Sequence, residues 1–160
     1  MEQLARSAMN GSSAGGNQGL FNMDIGEQLK VEEEAEEEPH HFHIYSHRHN
    51  THITVTKPNR DAIISMSTGQ LGFKKAGRKS YDAAYQLGAY VVDKLHQMGV
   101  VNQIQKLEVV LRGFGQGRDA VVKVLMGNQG KMLRGKIIRV ADSTRLKIGG
   151  TRAPNPRRLG

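Results

Sequence analysis

The sequence predicts an α/β domain with a mixed β-sheet and packed helices, in the order β-β-α-β-α-β, between an acidic leader and a basic tail. Three observations carry this reading. Apolar residues alternate with period two before Thr68 and recur at steps of three and four after Ser80. Two β-like runs empty into glycine-rich basic loops, Gly72-Phe73-Lys74-Lys75-Ala76-Gly77-Arg78-Lys79-Ser80 and Gly113-Phe114-Gly115-Gln116-Gly117-Arg118-Asp119, and a helix pattern follows each. Charge divides sharply along the chain. Residues 1–38 hold nine acids against Arg6 and Lys30, a net of −7, and residues 39–160 hold 21 Lys and Arg against six acids, a net of +15.

The elements follow in order. Residues 1–38 lack apolar periodicity and end in the run Glu32-Glu33-Glu34-Ala35-Glu36-Glu37-Glu38. Such a segment buries too little apolar surface to offset chain entropy, so it reads as a disordered, solvated leader with a transient helix near Gln28 to Glu38. From His43, the alternation of Ile44, Ile53 and Val55 with Thr51, Thr54 and Thr56 reads as one strand ending at the turn Lys57-Pro58-Asn59-Arg60-Asp61. Ala62 to Thr68 gives a second strand, pairing with the first as a hairpin. Ser80 is placed to cap a helix whose apolar stripe is Ala84, Leu87, Val91, Leu95 and Met98, and Gly99 ends it. Leu107 to Leu111 reads as a short buried strand, followed after the second loop by a helix carrying Val121, Val122, Leu125 and Met126 and closing near Gly130. Lys136 to Asp142 is the last strand. After Thr144 the chain turns rich in Gly, Pro and Arg, and residues 145–160 read as a basic extension that orders on RNA. The domain itself is then residues 39–144.

Composition excludes several chemistries. With no Cys there is no disulfide framework, zinc knuckle or thiol nucleophile. No apolar run approaches the roughly 20 residues that span a bilayer, so no membrane partner is expected. The leader is acid-rich, unlike a mitochondrial presequence, so any presequence is expected to be removed or absent. Glycine lets backbone approach an anion, and a helix N-terminus offers unpaired N–H groups, so both loops read as phosphate cradles. Neither ends in the Gly-Lys-Ser/Thr of a nucleotide loop, and no cofactor is expected. A domain with this excess of positive charge suits a phosphate polymer.

The order of motifs resembles a known family. His43-Ile44, Asn50-Thr51, Ile53-Thr54-Val55-Thr56, Gly72-Phe73-Lys74, Arg78-Lys79-Ser80, Ala83-Ala84, Gly113, Gly115, Gly117-Arg118 and Asp142-Ser143-Thr144 recur at the spacing of the universal small-subunit ribosomal protein conventionally numbered eleven. The resemblance covers about residues 42–158. Tyr81 to Leu87, with the endings Gly149-Gly150-Thr151-Arg152 and Pro156 to Gly160, places it nearest the fungal mitochondrial branch. The resemblance implies a ribonuclease-H-like three-layer fold used without catalysis. It also implies a place on the small-subunit platform in the mitochondrial matrix, holding small-subunit ribosomal RNA near the messenger exit region beside other platform proteins. The residues assigned to RNA are Arg48 and Asn50; Lys74, Lys75, Arg78, Lys79 and Ser80; Gly113, Gly115, Gly117 and Arg118; and Arg145, Lys147, Arg152, Arg157 and Arg158. Where the bacterial pattern has prolines in the second loop, this chain has Phe114 and Gln116.

Three other readings carry less weight. His40, His41, His43, His47, His49 and His52 look like a metal cluster, but there are no Cys partners, and a single strand would place only His43, His47 and His49 on one face. These histidines read instead as polar, RNA-facing residues, and no metal site is assigned. A ribonuclease-H-like nuclease would need converging carboxylates to hold metal ions. The domain's acids are Asp61, Asp82, Asp93, Glu108, Asp119 and Asp142, and none lies on the first strand. No catalytic residue is assigned, and the motif order disfavours a duplex-DNA binder.

Overall fold

Period-two alternation builds the sheet. In the computed structural model, which describes residues 38–156, β1 (His40–His47) buries Phe42, Ile44 and Ser46, and β2 (Asn50–Thr56) buries Thr51, Ile53 and Val55. The antiparallel register sets Phe42 opposite Val55 and Ile44 opposite Ile53, so both strands present one apolar face. β3 (Ala62–Ser67) adds antiparallel to β2, setting Ile64 opposite Val55. β4 (Leu107–Arg112) runs parallel to β1, and β5 (Ile137–Asp142) parallel to β4. The sheet order is β3-β2-β1-β4-β5, a mixed sheet as the sequence predicts.

The strand expected from His43 to Thr56 is two strands, and the order is β-β-β-α-β-α-β rather than β-β-α-β-α-β. The missed turn, Arg48-His49, contains no Gly, Pro or Asn, and neither residue takes a positive φ. It is held by cross-strand pairing of His47 with Asn50 and by the His49 N–H donating to His47 Nδ1 at 3.2 Å. The readings that fall on residues 1–37, and the assignments of Arg157 and Arg158, lie outside the described residues.

Helix α1 (Tyr81–Gln97) starts where expected, with Ser80 Oγ accepting from the Ala83 N–H at 3.1 Å. Its buried stripe includes Ala84, Leu87, Gly88, Val91 and Leu95. Gly99, at φ +69°, follows its end and precedes the single turn α2 (Val100–Gln103). Helix α3 (Gln116–Met126) buries Ala120, Val121, Val124 and Leu125, whereas Met126, expected inward, is 66% exposed. It closes at Gly127, and Gly130 instead precedes the short α4 (Lys131–Arg134). α1 and α3 cross at Gly88, where an added Cβ would stand 3.3 Å from Val124.

Both long helices bury their stripes in the cluster that holds Phe42, Ile44, Ile53, Val55, Val109 and Leu111. The opposite sheet face carries His41, His43, Tyr45, His47, His52, Glu108, Arg112 and Arg139, and no helix among the described residues packs on it. The expected third layer has no counterpart there: after β5 the chain runs without helix or strand to residue 156, and its Arg, Gly and Pro residues offer no apolar stripe to bury.

Gly117 sits where α3 meets β2 and α1, and an added Cβ would overlap Thr51 Oγ1 and lie 2.9 Å from Ala84 Cβ. Gly117→Ala should therefore destabilise the domain by about 1–3 kcal/mol through overpacking. The check is a lower urea midpoint with an unchanged m-value.

Candidate nucleic-acid interface

The second glycine loop is shaped by lack of room. Gly113 has φ +81°, and a Cβ there would run into the Ser46 carbonyl oxygen at the end of β1. At Gly115 a Cβ would lie 2.6 Å from the His47 carbonyl oxygen. Backbone thus lies directly on backbone, and the Gly115 N–H donates to Ser46 O at 3.1 Å.

A network across the chain fixes this loop. The Gly113 N–H donates to Thr144 Oγ1 at 3.0 Å, and Thr144 Oγ1–H donates to Asp142 Oδ1 at 2.6 Å. The Thr144 N–H reaches the same carboxylate oxygen at 2.8 Å. Arg118 Nη1 donates to Asp142 Oδ2 at 2.9 Å and to Gly113 O at 3.2 Å, and its guanidinium lies 5.3 Å from the Phe114 ring centre. The two Thr144 hydrogen bonds, and then Arg118, hold the Asp142 carboxyl down to about 2.

The first loop is held from below and open above. Its turn, Lys75–Lys79, buries no residue. Thr68 Oγ1–H donates to Arg78 O at 3.0 Å and is also hydrogen-bonded to Asn50 Oδ1, which ties the loop to the start of β2. Arg78 Nε donates to Phe73 O at 3.1 Å, and Ser80 Oγ–H donates to Gly77 O at 2.9 Å.

The β1–β2 turn, both loops and the start of the tail meet around one cavity of about 580 Å³. It lies at the carboxyl ends of the parallel strands β1 and β4, from which the chain departs in opposite directions along the sheet. Crevices at such switch points are where open α/β sheets bind ligands. Its lining includes Arg48, Lys79, Arg112 and Arg145 and no carboxylate. Arg48, Lys79, Gly113, Gly115 and Arg145, all assigned from the sequence, therefore converge on one site.

The other assigned residues do not line it. Lys74, Lys75 and Arg78 are exposed on the first loop, and Lys147 and Arg152 are exposed on the tail. Asn50, Ser80 and Arg118 have side chains engaged in the protein's own hydrogen bonds, and Gly117 is buried. Sequence reasoning missed Arg112, Tyr45 and Thr144 as lining residues. The available signal was position: Arg112 directly follows the apolar run of β4, Thr144 lies two residues beyond the end of β5, and Tyr45 follows Ile44 on β1.

The histidines also group differently from expectation. His41, His43 and His47 share the open face with Tyr45 and, from β2, His52, while His49 sits in the turn. Burial holds His43, His47 and His52 below the ordinary imidazole range, with neighbouring imidazoles adding to the effect at His43 and His47. Glu108, behind them, accepts from Arg139 Nη2 at 2.7 Å, which lowers its carboxyl.

Comparison with known proteins gives one family. The family model of Ribosomal protein S11 matches residues 41–158. The Small ribosomal subunit protein uS11m of Neurospora crassa is 72% identical over 127 residues, covering 79% of this chain and 34% of its own length. The uS11m of Schizosaccharomyces pombe is 38% identical over 123 residues, 76% of this chain and 53% of its own length. The Small ribosomal subunit protein uS11 of Francisella tularensis subsp. novicida is 32% identical over 117 residues, 73% of this chain and 84% of its own length. The chain thus spans about a third of one fungal relative and about half of the other.

Asp142 titrates lower in the folded chain than its ordinary 3.8, so its network contributes stability above about pH 4 that is lost as pH falls toward about 2. Asp142→Asn should flatten the acid limb of the stability profile in that window. Urea melts of both proteins between pH 2 and pH 5 check this, and parallel acid limbs would contradict it.

Proposed function

The chain belongs to the Ribosomal protein S11 family, and we propose that it is a structural constituent of the mitochondrial small ribosomal subunit, where its cationic cavity and loops hold small-subunit ribosomal RNA. The observation that carries the RNA face is the convergence of Arg48, Lys79, Arg112 and Arg145 on a carboxylate-free cavity at the sheet's switch point. The fungal relatives named as mitochondrial subunit proteins support the compartment. The role is non-catalytic and needs no cofactor. The protein sits on the platform beside other ribosomal proteins, near the messenger exit region, with no membrane contact.

Within this reading the assigned residues divide in two. Lys74, Lys75, Arg78 and Lys79 stand on a loop fixed between β3 and a capped helix, so they meet phosphates with little ordering cost. Arg145, Lys147 and Arg152 belong to a stretch that runs without helix or strand to residue 156 and spends part of its attraction on ordering, and Arg157 and Arg158, outside the described residues, add charge to the same basic extension. Gly113, Gly115 and Arg118 shape the site, and Asn50 and Ser80 anchor the first loop. Within this proposal residues 39–144 are the RNA-binding domain, 1–38 an acidic leader and 145–160 a basic extension.

Affinity for small-subunit ribosomal RNA should fall steeply between 50 and 200 mM salt, and Arg112→Ala should reduce the slope of log K against log salt by about 0.7–0.9. Filter binding over a salt series measures both. The tagged protein should also sediment with small subunits in mitochondrial lysate, and a profile confined to the top of the gradient would sink the ribosomal assignment. A chain beginning at Pro39 should still melt cooperatively, and loss of that transition would show the leader to be part of the folding unit.

A further inference from the structure

The same cavity has walls that phosphate binding does not explain. Phe114 is 75% exposed at its rim, with the Arg118 guanidinium near its ring. Also lining the cavity are Tyr45, 37% exposed, with the Arg112 guanidinium 4.7 Å from its ring centre, and His47. Tyr45 continues into a band of planar groups on the open face of the sheet. His47 lies 5.3 Å and His52 5.9 Å from it, centre to centre, and His47 and His52 are stacked on each other at 6.0 Å. A phosphate needs donors and cations; it gains nothing from an exposed phenyl ring.

We propose that this cavity is a subsite for an unpaired RNA nucleobase, stacked against Phe114 and the Tyr45–Arg112 pair, while Arg48, Lys79 and Arg145 hold the flanking phosphates. The proposal rests on the RNA-binding reading above and adds the ligand's form: a single-stranded or splayed-out nucleotide rather than duplex backbone alone. Aromatic and guanidinium planes beside a cationic groove are the combination that binds unpaired bases, because every base has a π-face. The volume of about 580 Å³ falls within the range of about 300–1,000 Å³ for pockets that enclose small ligands. Burial lowers the affinity of His47 and His52 for protons, so near neutral pH their rings present planar surface without added charge. The four lining cations, with no carboxylate among the lining residues, favour RNA as the occupant over a protein segment.

The test uses the full chain and a short single-stranded RNA carrying one 2-aminopurine, compared with the same oligonucleotide made abasic at that position. Wild type should quench the fluorophore and bind the intact oligonucleotide roughly tenfold more tightly than the abasic one. Phe114→Leu and Tyr45→Leu, each confirmed as folded by circular dichroism, should lose that preference with the salt slope unchanged. Phe114→Tyr should keep it. Equal affinity for intact and abasic oligonucleotides, no quenching, or unaltered binding by both leucine variants would overturn the stacking subsite while leaving phosphate binding intact. So would leucine variants that bind RNA normally but lose a protein neighbour in assembled subunits, since the face would then belong to a protein. Failure of wild type to bind any small-subunit RNA would instead remove the RNA-binding reading itself.

Discussion

Backbone lies on backbone where the Gly113–Gly115 segment crosses the end of β1, and much of the site follows from that contact. With no Cβ at Gly113 or Gly115, the loop seats against the Ser46 and His47 carbonyls, and α3 begins at once. Starting there, α3 places Gly117 against Thr51 and Ala84, which brings it down onto α1 and the sheet. It also aims Arg118 back at Asp142, whose carboxylate holds Thr144, whose hydroxyl accepts from the Gly113 N–H. The circuit closes on itself. The last strand, the loop and the third helix are therefore positioned together, and the tail leaves the domain beside the cavity at Arg145.

Parallel pairing explains why the cations gather at one end. β1, β4 and β5 run in the same direction, so the residues that follow their apolar runs emerge on a common edge: Arg48 after β1, Arg112 and the glycine loop at the end of β4, Thr144 and Arg145 after β5. β2 returns antiparallel to β1, and β3, antiparallel to β2, runs with β1 again, so the loop after β3 brings Lys79 to the same edge. The mixed sheet thus converts scattered basic residues into a concentrated field. Its two faces have separate tasks. One buries Phe42, Ile44, Ile53 and Val55 beneath α1 and α3; the other keeps imidazole, phenol and guanidinium groups outside the helical layer.

Elements governed by local chemistry were legible in the chain. Ser80 caps α1 because its side chain bonds three residues ahead, Gly99 ends that helix because it accepts positive φ, and the apolar spacing between them fixes the buried stripe. The glycine loops, the buried strand Leu107–Arg112 and the convergence of charge in the domain were legible for the same reason. Local pattern failed where pairing did the work. The Arg48-His49 turn has no turn residue of its own and exists because His47 and Asn50 are paired, so a single strand was read where two lie. In α3 the inward face is Val121, Val124 and Leu125 because Gly88 on α1 admits Val124, a contact invisible from α3 alone.

The sequence by itself determined an α/β domain of strong positive charge, with two basic glycine loops leading into helices and the motif order of its family. Only the tertiary structure decided which basic residues share a site and which serve the fold. Arg118 and Asp142 are 24 positions apart and meet through β5 and α3, while Arg112, one residue before a predicted cradle, becomes one of its walls. Sequence pattern reports the period of each element and the φ its residues tolerate. Which side chains face each other depends on strand register and helix crossing, and those are set by contacts between residues far apart in the chain.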